Sequence, residues 1–182
     1  MPNYRRWYVP GGTYFFTLVT YRRYPLFKNA SARTLLGGVM RETRQERPFK
    51  TMAAVLLWDH LHCIWTLPVG DDDYSTRWKQ IKADFTKRWL AMGGTELPVS
   101  DSRKARGERG IWQRRFWEHT MLEEADIEAR LDYVHYNPVK HGYVKRPWDW
   151  PWSTFRQYVG LGHYSRDWGS TEPPHLCGLD FE

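Results

Sequence analysis

Two histidines separated by one residue, His60 and His62, lie in the run DHLHCIWTLP at positions 59–68. Alternate residues of a β-strand project from the same face, so both imidazoles can reach one metal ion while Leu61 turns into the core. An isolated His-x-His pair is more often accidental than functional. Here both flanks are strongly apolar, and two histidines at the start of a buried strand are costly to place without a purpose. A second pattern is Tyr133 and Asn137, four residues apart and hence on one face of a helix. Ile127, Leu131 and Val134 form the apolar stripe of that helix, which sets Tyr133 off the stripe. The ordinary reading of Tyr133 is a half-buried ring with its hydroxyl in water. That of Asn137, just before Pro138, is a residue that ends a helix in a turn. The run DYVHYNPVKHG at 132–142 then presents Lys140 and His141 at a rigid corner.

Such side chains need a strand and a helix to hold them. Gly11-Gly12 marks a turn, and residues 13–20, rich in aromatic and β-branched types, read as a strand. A helix capped by Ser31 is expected to run to Glu46, weakened in its middle by Gly37-Gly38. Residues 51–58 are nearly all apolar and read as a central strand, and 60–67 as a third. An acidic turn at 68–73 can cap a helix over 75–92, in which Trp78, Ile81, Phe85 and Trp89 fall at helical spacing. Residues 93–110 are polar and charged, and read either as a mobile loop that orders on DNA or as a solvated insertion. A fourth strand is expected over 114–122 and a third helix over 125–137, stopped by Pro138. The remainder divides the chain into a domain over 1–146 and an irregular, aromatic-rich tail over 147–182 that either packs on the domain or extends from it. The order β-α-β-β-α-β followed by a helix predicts an α+β, ferredoxin-like antiparallel sheet with helices on one face and a C-terminal helix that carries the tyrosine. The open face of such a sheet is a common nucleic-acid platform.

Composition narrows the partner. The chain has 182 residues, with 27 Lys and Arg against 21 Asp and Glu, a formal charge of +6 and a pI near 9.4. That balance favours a polyanion without proving one. Aromatic residues make up 16%, including 11 tryptophans, and many adjoin arginines, as in Tyr4-Arg5-Arg6-Trp7, Tyr21-Arg22-Arg23-Tyr24 and Arg114-Arg115-Phe116-Trp117. Guanidinium groups neutralise phosphates while aromatic faces stack on unpaired bases, a mixture suited to single-stranded or looped nucleic acid. Any one such pair is ordinary cation–π packing; their repetition shifts the reading toward DNA or RNA. No stretch approaches the roughly 20 apolar residues of a membrane span. The N-terminus has no apolar signal region, so a cytoplasmic location is expected. Two distant cysteines, Cys63 and Cys177, make neither a disulfide framework nor a thiolate metal site, and Cys63 reads as a core residue.

Taken together, these motifs resemble the REP-associated tyrosine transposases, a branch of the insertion-sequence-200-like single-tyrosine HUH transposases. The resemblance runs from Tyr4 to about Trp168. It rests on Tyr4-Arg5-Arg6 with Gly11-Gly12-Thr13, on DHLHCIWTLP, Trp78-Lys79 and IWQRRFWEH at 111–119, on the 133–142 run, and on WPWSTF at 150–155. It implies that His60 and His62 bind a divalent metal, that Asn137 completes the metal site, and that Tyr133 is the nucleophile. It also implies substrates in palindromic repeats that fold into hairpins beside a short single-stranded tag. Trp58 departs from the family pattern, where many members carry proline, but no liganding atom is lost.

The implied chemistry is self-consistent. Two imidazoles and an amide oxygen leave open positions on a metal, and a mixed N/O set accepts Mg²⁺ or Mn²⁺. The metal would act as a Lewis acid on the scissile phosphate. The tyrosine hydroxyl, with an ordinary pKa of about 10, needs activation before it attacks phosphorus. A 5′-phosphotyrosine ester then conserves the bond for rejoining without ATP. No dedicated base stands out. His135, two residues from Tyr133, should point elsewhere on the helix, and a structural or DNA-backbone role suits both it and His141. Arg5, Arg6, Arg114, Arg115 and Lys140 are the candidate DNA contacts.

Three readings compete with a tyrosine nickase. A non-catalytic hairpin-DNA binder would not need the His pair together with Tyr133 and Asn137. A replication initiator or relaxase would use a longer chain. A water-using metal hydrolase would not need Tyr133. Both monomer and homodimer are compatible with the sequence.

Overall fold

Residues Thr13–Val19 (β1) alternate between two buried faces: Tyr14, Phe16 and Leu18 enter one core, Phe15 and Thr17 the other. A strand buried on both faces must lie inside a sheet. In the computed structural model, which describes residues 6–178, β1 is such a strand. It pairs on one side with β3 (His60–Thr66) and on the other with β4 (Trp117–Met121). Strand β2 (Lys50–Leu56) adds to β3, giving an all-antiparallel sheet in the order β2-β3-β1-β4.

Helices α1 (Ala30–Glu46) and α2 (Tyr74–Ala91) cover one face, where Leu36, Val39, Trp78, Ile81 and Phe85 pack with Trp65 and Phe16. The tryptophan stripe of α2 read from the sequence is this contact. Asp73 caps α2 by accepting from the Thr76 amide. For α1 the cap is Asn29, whose side chain accepts from the Ala32 amide, rather than the expected Ser31. A four-residue helix α3 (Asp101–Lys104) follows α2. The opposite face is covered by α4 (Glu124–Lys140), by α5 (Phe155–Gly160) and by the segment between them. The fold class is thus α+β as expected, but neither face of the sheet is left open.

Two local expectations are corrected, and the inner bonding of a third segment is resolved. Strand β2 lies at the edge, not the centre. Its apolar character is explained by the C-terminal segment, which closes that edge. Leu56 N donates to Trp152 O at 2.8 Å, Thr154 N to Ala54 O at 2.9 Å, and the Trp150 indole to Leu56 O at 3.0 Å. An exposed strand edge invites association, and here it is paired. Pro138 does not stop α4, which continues to Lys140. A proline removes only one amide, and so near a helix end the following turn is held by His141 N to Asn137 O and Tyr143 N to Pro138 O. The segment 93–110 has bonds of its own: Leu97 N donates to Gly110 O, the Trp89 indole to Thr95 O, and Arg109 pairs with Glu96. Gly110 approaches Leu97 so closely that a Cβ there would lie 1.8 Å from the Leu97 carbonyl oxygen. No helix among the described residues is long and apolar enough to cross a membrane.

Candidate active site

His60 and His62 project from β3 on the face shared with Ile64, toward α4. Both rings are fully buried, with centroids 4.8 Å apart and edges facing. Each ring is oriented through its Nδ1. His60 Nδ1 lies 2.6 Å from Asp59 Oδ1, and Asp59 in turn accepts from Arg23 at 3.2 Å. Burial opposes ionisation of Asp59, but its bonds to His60 and Arg23 outweigh that and hold the carboxyl below its usual pKa. His62 Nδ1 lies 2.9 Å from Thr17 Oγ1, its register partner on β1. Metal-ligating histidines are commonly anchored in this way through the ring nitrogen that does not touch the metal.

Helix α4 brings the other half. The Tyr133 ring meets the His62 ring edge-on at 5.4 Å and Phe15 at 6.1 Å. Eight residues further on, the His141 ring lies 5.1 Å from His60. Asn137 stands between them on the same face, one turn from each. Its amide is fully buried, and neither Oδ1 nor Nδ2 has a hydrogen-bond partner among the described residues. A buried amide left in that state costs roughly 1–3 kcal/mol. Lys140 Nζ donates to the Tyr133 hydroxyl at 3.1 Å and lies 4.8 Å above its ring.

Tyr133 is therefore not half-exposed at the side of an apolar stripe. It is 2% exposed and part of the core. The stripe read from Ile127, Leu131 and Val134 is too narrow because α4 is sandwiched between the sheet and the C-terminal segment. His135 and Tyr136 are buried as well. His135 points away from the site, as expected, and is structural: Nδ1 lies 3.2 Å from the Tyr164 hydroxyl and Nε2 2.9 Å from Thr154 Oγ1. Burial, with a smaller push from His163, lowers its pKa to about 3, so it ties down the C-terminal segment as a neutral ring.

Of the candidate DNA contacts, Arg5 lies outside the described residues. Arg6 packs its guanidinium 4.1 Å over the Phe116 ring and 3.7 Å from Glu118. Arg114 and Arg115 are exposed on the approach to β4. Among the described contacts none joins these arginines to the histidine–tyrosine cluster. Lys140 does join it, at the hydroxyl. Asp59 and Thr17 are not among the site residues read from the sequence, and His141, read there only at a corner of the chain, has its ring against His60. Asp59 could have been noticed as the immediate neighbour of the His pair; Thr17 arrives only through strand register, and His141 only through the turn that α4 makes past Pro138. Among the described residues no group of three or more His, Cys, Asp or Glu converges as a metal cluster. The polar group that α4 sets beside the two imidazoles is the Asn137 amide.

No family model matches the chain. It is 42% identical over 168 residues to a REP-associated tyrosine transposase of Escherichia coli strain K12, across 92% of this chain and 91% of that protein. A Haemophilus influenzae protein that carries the same name provisionally is 39% identical over 183 residues, across 98% and 99%. A solved structure of a REP-associated tyrosine transposase bound to a REP hairpin superposes with a TM-score of 0.76 at 40% identity, over 96% of both chains. Identity at this level along nearly the whole length, on the same fold, means that the chain belongs to the REP-associated tyrosine transposases.

Proposed function

We propose that the chain nicks and rejoins single-stranded DNA beside hairpin-forming palindromic repeats, through a covalent phosphotyrosine at Tyr133 and with a divalent metal ion held by His60, His62 and Asn137. The observation that carries this reading is the convergence of two oriented imidazoles, a buried tyrosine and a buried amide lacking a partner, delivered by β3 and α4. The donor set fits Mg²⁺ or Mn²⁺: the anchored Nδ1 atoms turn Nε2 of each ring to the ligand, and a cation at Asn137 Oδ1 would satisfy an atom otherwise left at a cost. When bound, such an ion supplies Lewis acidity at the scissile phosphate.

The remaining work falls to side chains of this protein. Tyr133 Oη attacks phosphorus, forming the Tyr–O–P ester. The P–O3′ bond breaks, the tyrosine proton departs, and the leaving 3′ oxygen takes one up. Lys140, donating to Oη, stabilises negative charge on that oxygen both as it attacks and as it is displaced when a 3′-hydroxyl reverses the step. Phe15 and the His62 ring hold the phenol in place, so less orientation is lost on reaching the transition state. The relative of known structure was solved on a REP hairpin, which supports hairpin DNA as the substrate class here.

The test is incubation of the protein with a labelled hairpin carrying single-stranded flanks, with and without Mg²⁺ or Mn²⁺, on a denaturing gel beside Tyr133→Phe. A metal-dependent covalent band that is absent from the variant is expected. Retarded DNA with no covalent band would instead identify a hairpin binder, and cleavage that survives in Tyr133→Phe would identify a water nucleophile.

A further inference from the structure

The loop between β1 and α1 carries backbone strain. Arg22 and Arg23 have φ of 55° and 51°, and among the described residues no other non-glycine residue has a positive φ. A residue with a Cβ is crowded in this left-handed region, and two in succession are more unusual than one. The loop is also tied at both ends to the turn that precedes His60: Thr20 N donates to Asp59 O at 2.8 Å, and Phe27 N to Trp58 O at 2.9 Å. Thr20 is fully buried, and its hydroxyl reaches the carbonyls of Tyr24, at 2.7 Å, and Asp59, at 2.9 Å.

Stability alone does not account for that strain. Arg23 Nη1 donates to Asp59 Oδ2 at 3.2 Å, but the Arg23 side chain is 45% exposed, and an ion pair half in water adds little to the fold. What the strained backbone achieves is aim. Asp59 bridges two partners: Oδ2 accepts from Arg23, and Oδ1 lies 2.6 Å from His60 Nδ1. An ionised carboxylate only accepts, so the proton of the second contact belongs to His60 Nδ1. His62 is held differently. Its Nδ1 lies 2.9 Å from Thr17 Oγ1, and a hydroxyl either donates or accepts, so that contact does not by itself choose a tautomer.

We infer that Arg23 is a positioning residue for His60: its left-handed backbone turns the guanidinium onto Asp59, and Asp59, held from both sides, fixes the His60 ring with Nδ1 protonated and Nε2 bare. The inference rests on the metal site proposed above and adds to it a residue two contacts away from the ion. A carboxylate behind a ligating histidine sets the orientation and donor strength of the ring, and loss of such a partner weakens metal binding. Without Arg23 the Asp59 carboxylate can turn toward solvent, and His60 loses the contact that selects its tautomer. Arg22 supplies the comparison. It shares the strained conformation, but its guanidinium lies 5.2 Å from the Tyr21 ring centre, and among the described contacts it does not reach Asp59.

The experiment compares the full chain with Arg23→Gly, Arg23→Lys and Arg22→Gly. Glycine takes a positive φ without strain, so neither glycine variant should melt below the parent in the metal-free state. Mn²⁺ binding is followed by electron paramagnetic resonance, through loss of the free-ion signal. Affinity should fall about threefold or more in Arg23→Gly, less than the roughly 10- to 100-fold that follows loss of a ligand's direct partner. It should stay at the parent level in Arg22→Gly and largely recover in Arg23→Lys. Long-range proton–nitrogen NMR spectra of the metal-free proteins read the tautomer. His60 should be a single Nδ1–H form in the parent and in Arg22→Gly, and a mixture in Arg23→Gly. Affinity and tautomer unchanged in Arg23→Gly, with or without a lower melting temperature, or shifted equally in Arg22→Gly, would overturn the assignment. Because the tautomer is measured without metal, a parent that binds no Mn²⁺ but shows the selective change would refute the metal site and leave the role of Arg23 standing.

Discussion

Lys140 Nζ lies 3.1 Å from the Tyr133 hydroxyl, two turns further along α4, with its charge 4.8 Å from the centre of the same ring. A lysine expected from the sequence to grip DNA thus sits at the atom that would attack it. The two roles separate experimentally. If Lys140 serves the hydroxyl, Lys140→Met should slow single-turnover cleavage about 100- to 1000-fold, the usual span for one electrostatic donor, with little change in affinity for single-stranded DNA. Lys140→Arg should restore part of the rate. If affinity falls and the saturated rate does not, Lys140 is a DNA contact only.

Tyr133→Phe keeps the ring that packs on Phe15 and His62 and removes one hydroxyl. Urea denaturation should register a loss of no more than about 1.5 kcal/mol, while covalent adduct formation disappears. A variant that fails to fold would mean that the hydroxyl is structural.

Asn137 offers a readout independent of catalysis. In the metal-free protein Asn137→Leu replaces a buried amide without a partner by an apolar group of similar size, so stability should stay level or rise by about 1 kcal/mol. Adding Mn²⁺ should raise the melting temperature of the parent protein, because a ligand that binds only the folded state stabilises it. The same addition should leave Asn137→Leu unmoved, and chelation should erase the effect in the parent. A variant that keeps the metal-induced shift would remove Asn137 from the ligand set.

Lys82 gives a pH dependence whose sign can be fixed. Burial, reinforced by repulsion from Arg6 and Arg103, presses its folded pKa down to about 8, below the 10.5 ordinary for lysine. Between those values the unfolded chain holds the proton that the folded chain has lost. Folding stability therefore rises with pH across that interval and is flat below it as far as Lys82 is concerned. The stability gap between parent and Lys82→Met, taken at pH 7.5 and again near pH 10, should move in favour of the parent. A gap that stays constant would mean that Lys82 titrates normally.

The C-terminal segment is expected to be a requirement of the fold. Ending the chain after Arg146 would remove Trp150, Phe155 and Tyr164 from the core. It would also leave the edge of β2 unpaired where Trp152 and Thr154 now bond to it. Circular dichroism should show the loss of cooperative melting, and size-exclusion chromatography should show association. A truncated chain that melts cooperatively as a monomer would make 147–182 an appendage.

What could be read from residue order alone was whatever depends on short-range periodicity. The His60–His62 pair on one strand face, Tyr133 and Asn137 on one helix face, the tryptophan stripe of α2 and the succession of strands and helices all follow from repeats of two or about 3.6 residues. The errors fall where distant segments compete with local preference. Residues 51–58 look central because they are apolar, yet β2 is an edge strand that borrows its cover from residues about 100 positions later. Pro138 looks like a stop, yet α4 runs on for two residues and so delivers Lys140 to Tyr133 and brings His141 against His60. Thr17 orients His62 across 45 residues of sequence through register, which no local pattern encodes. A basic groove is likewise assembled from α2 and a segment some 30 residues beyond it, joined by the Lys82 ammonium. Periodicity chooses the face on which a side chain points; packing across the sheet determines what that face meets.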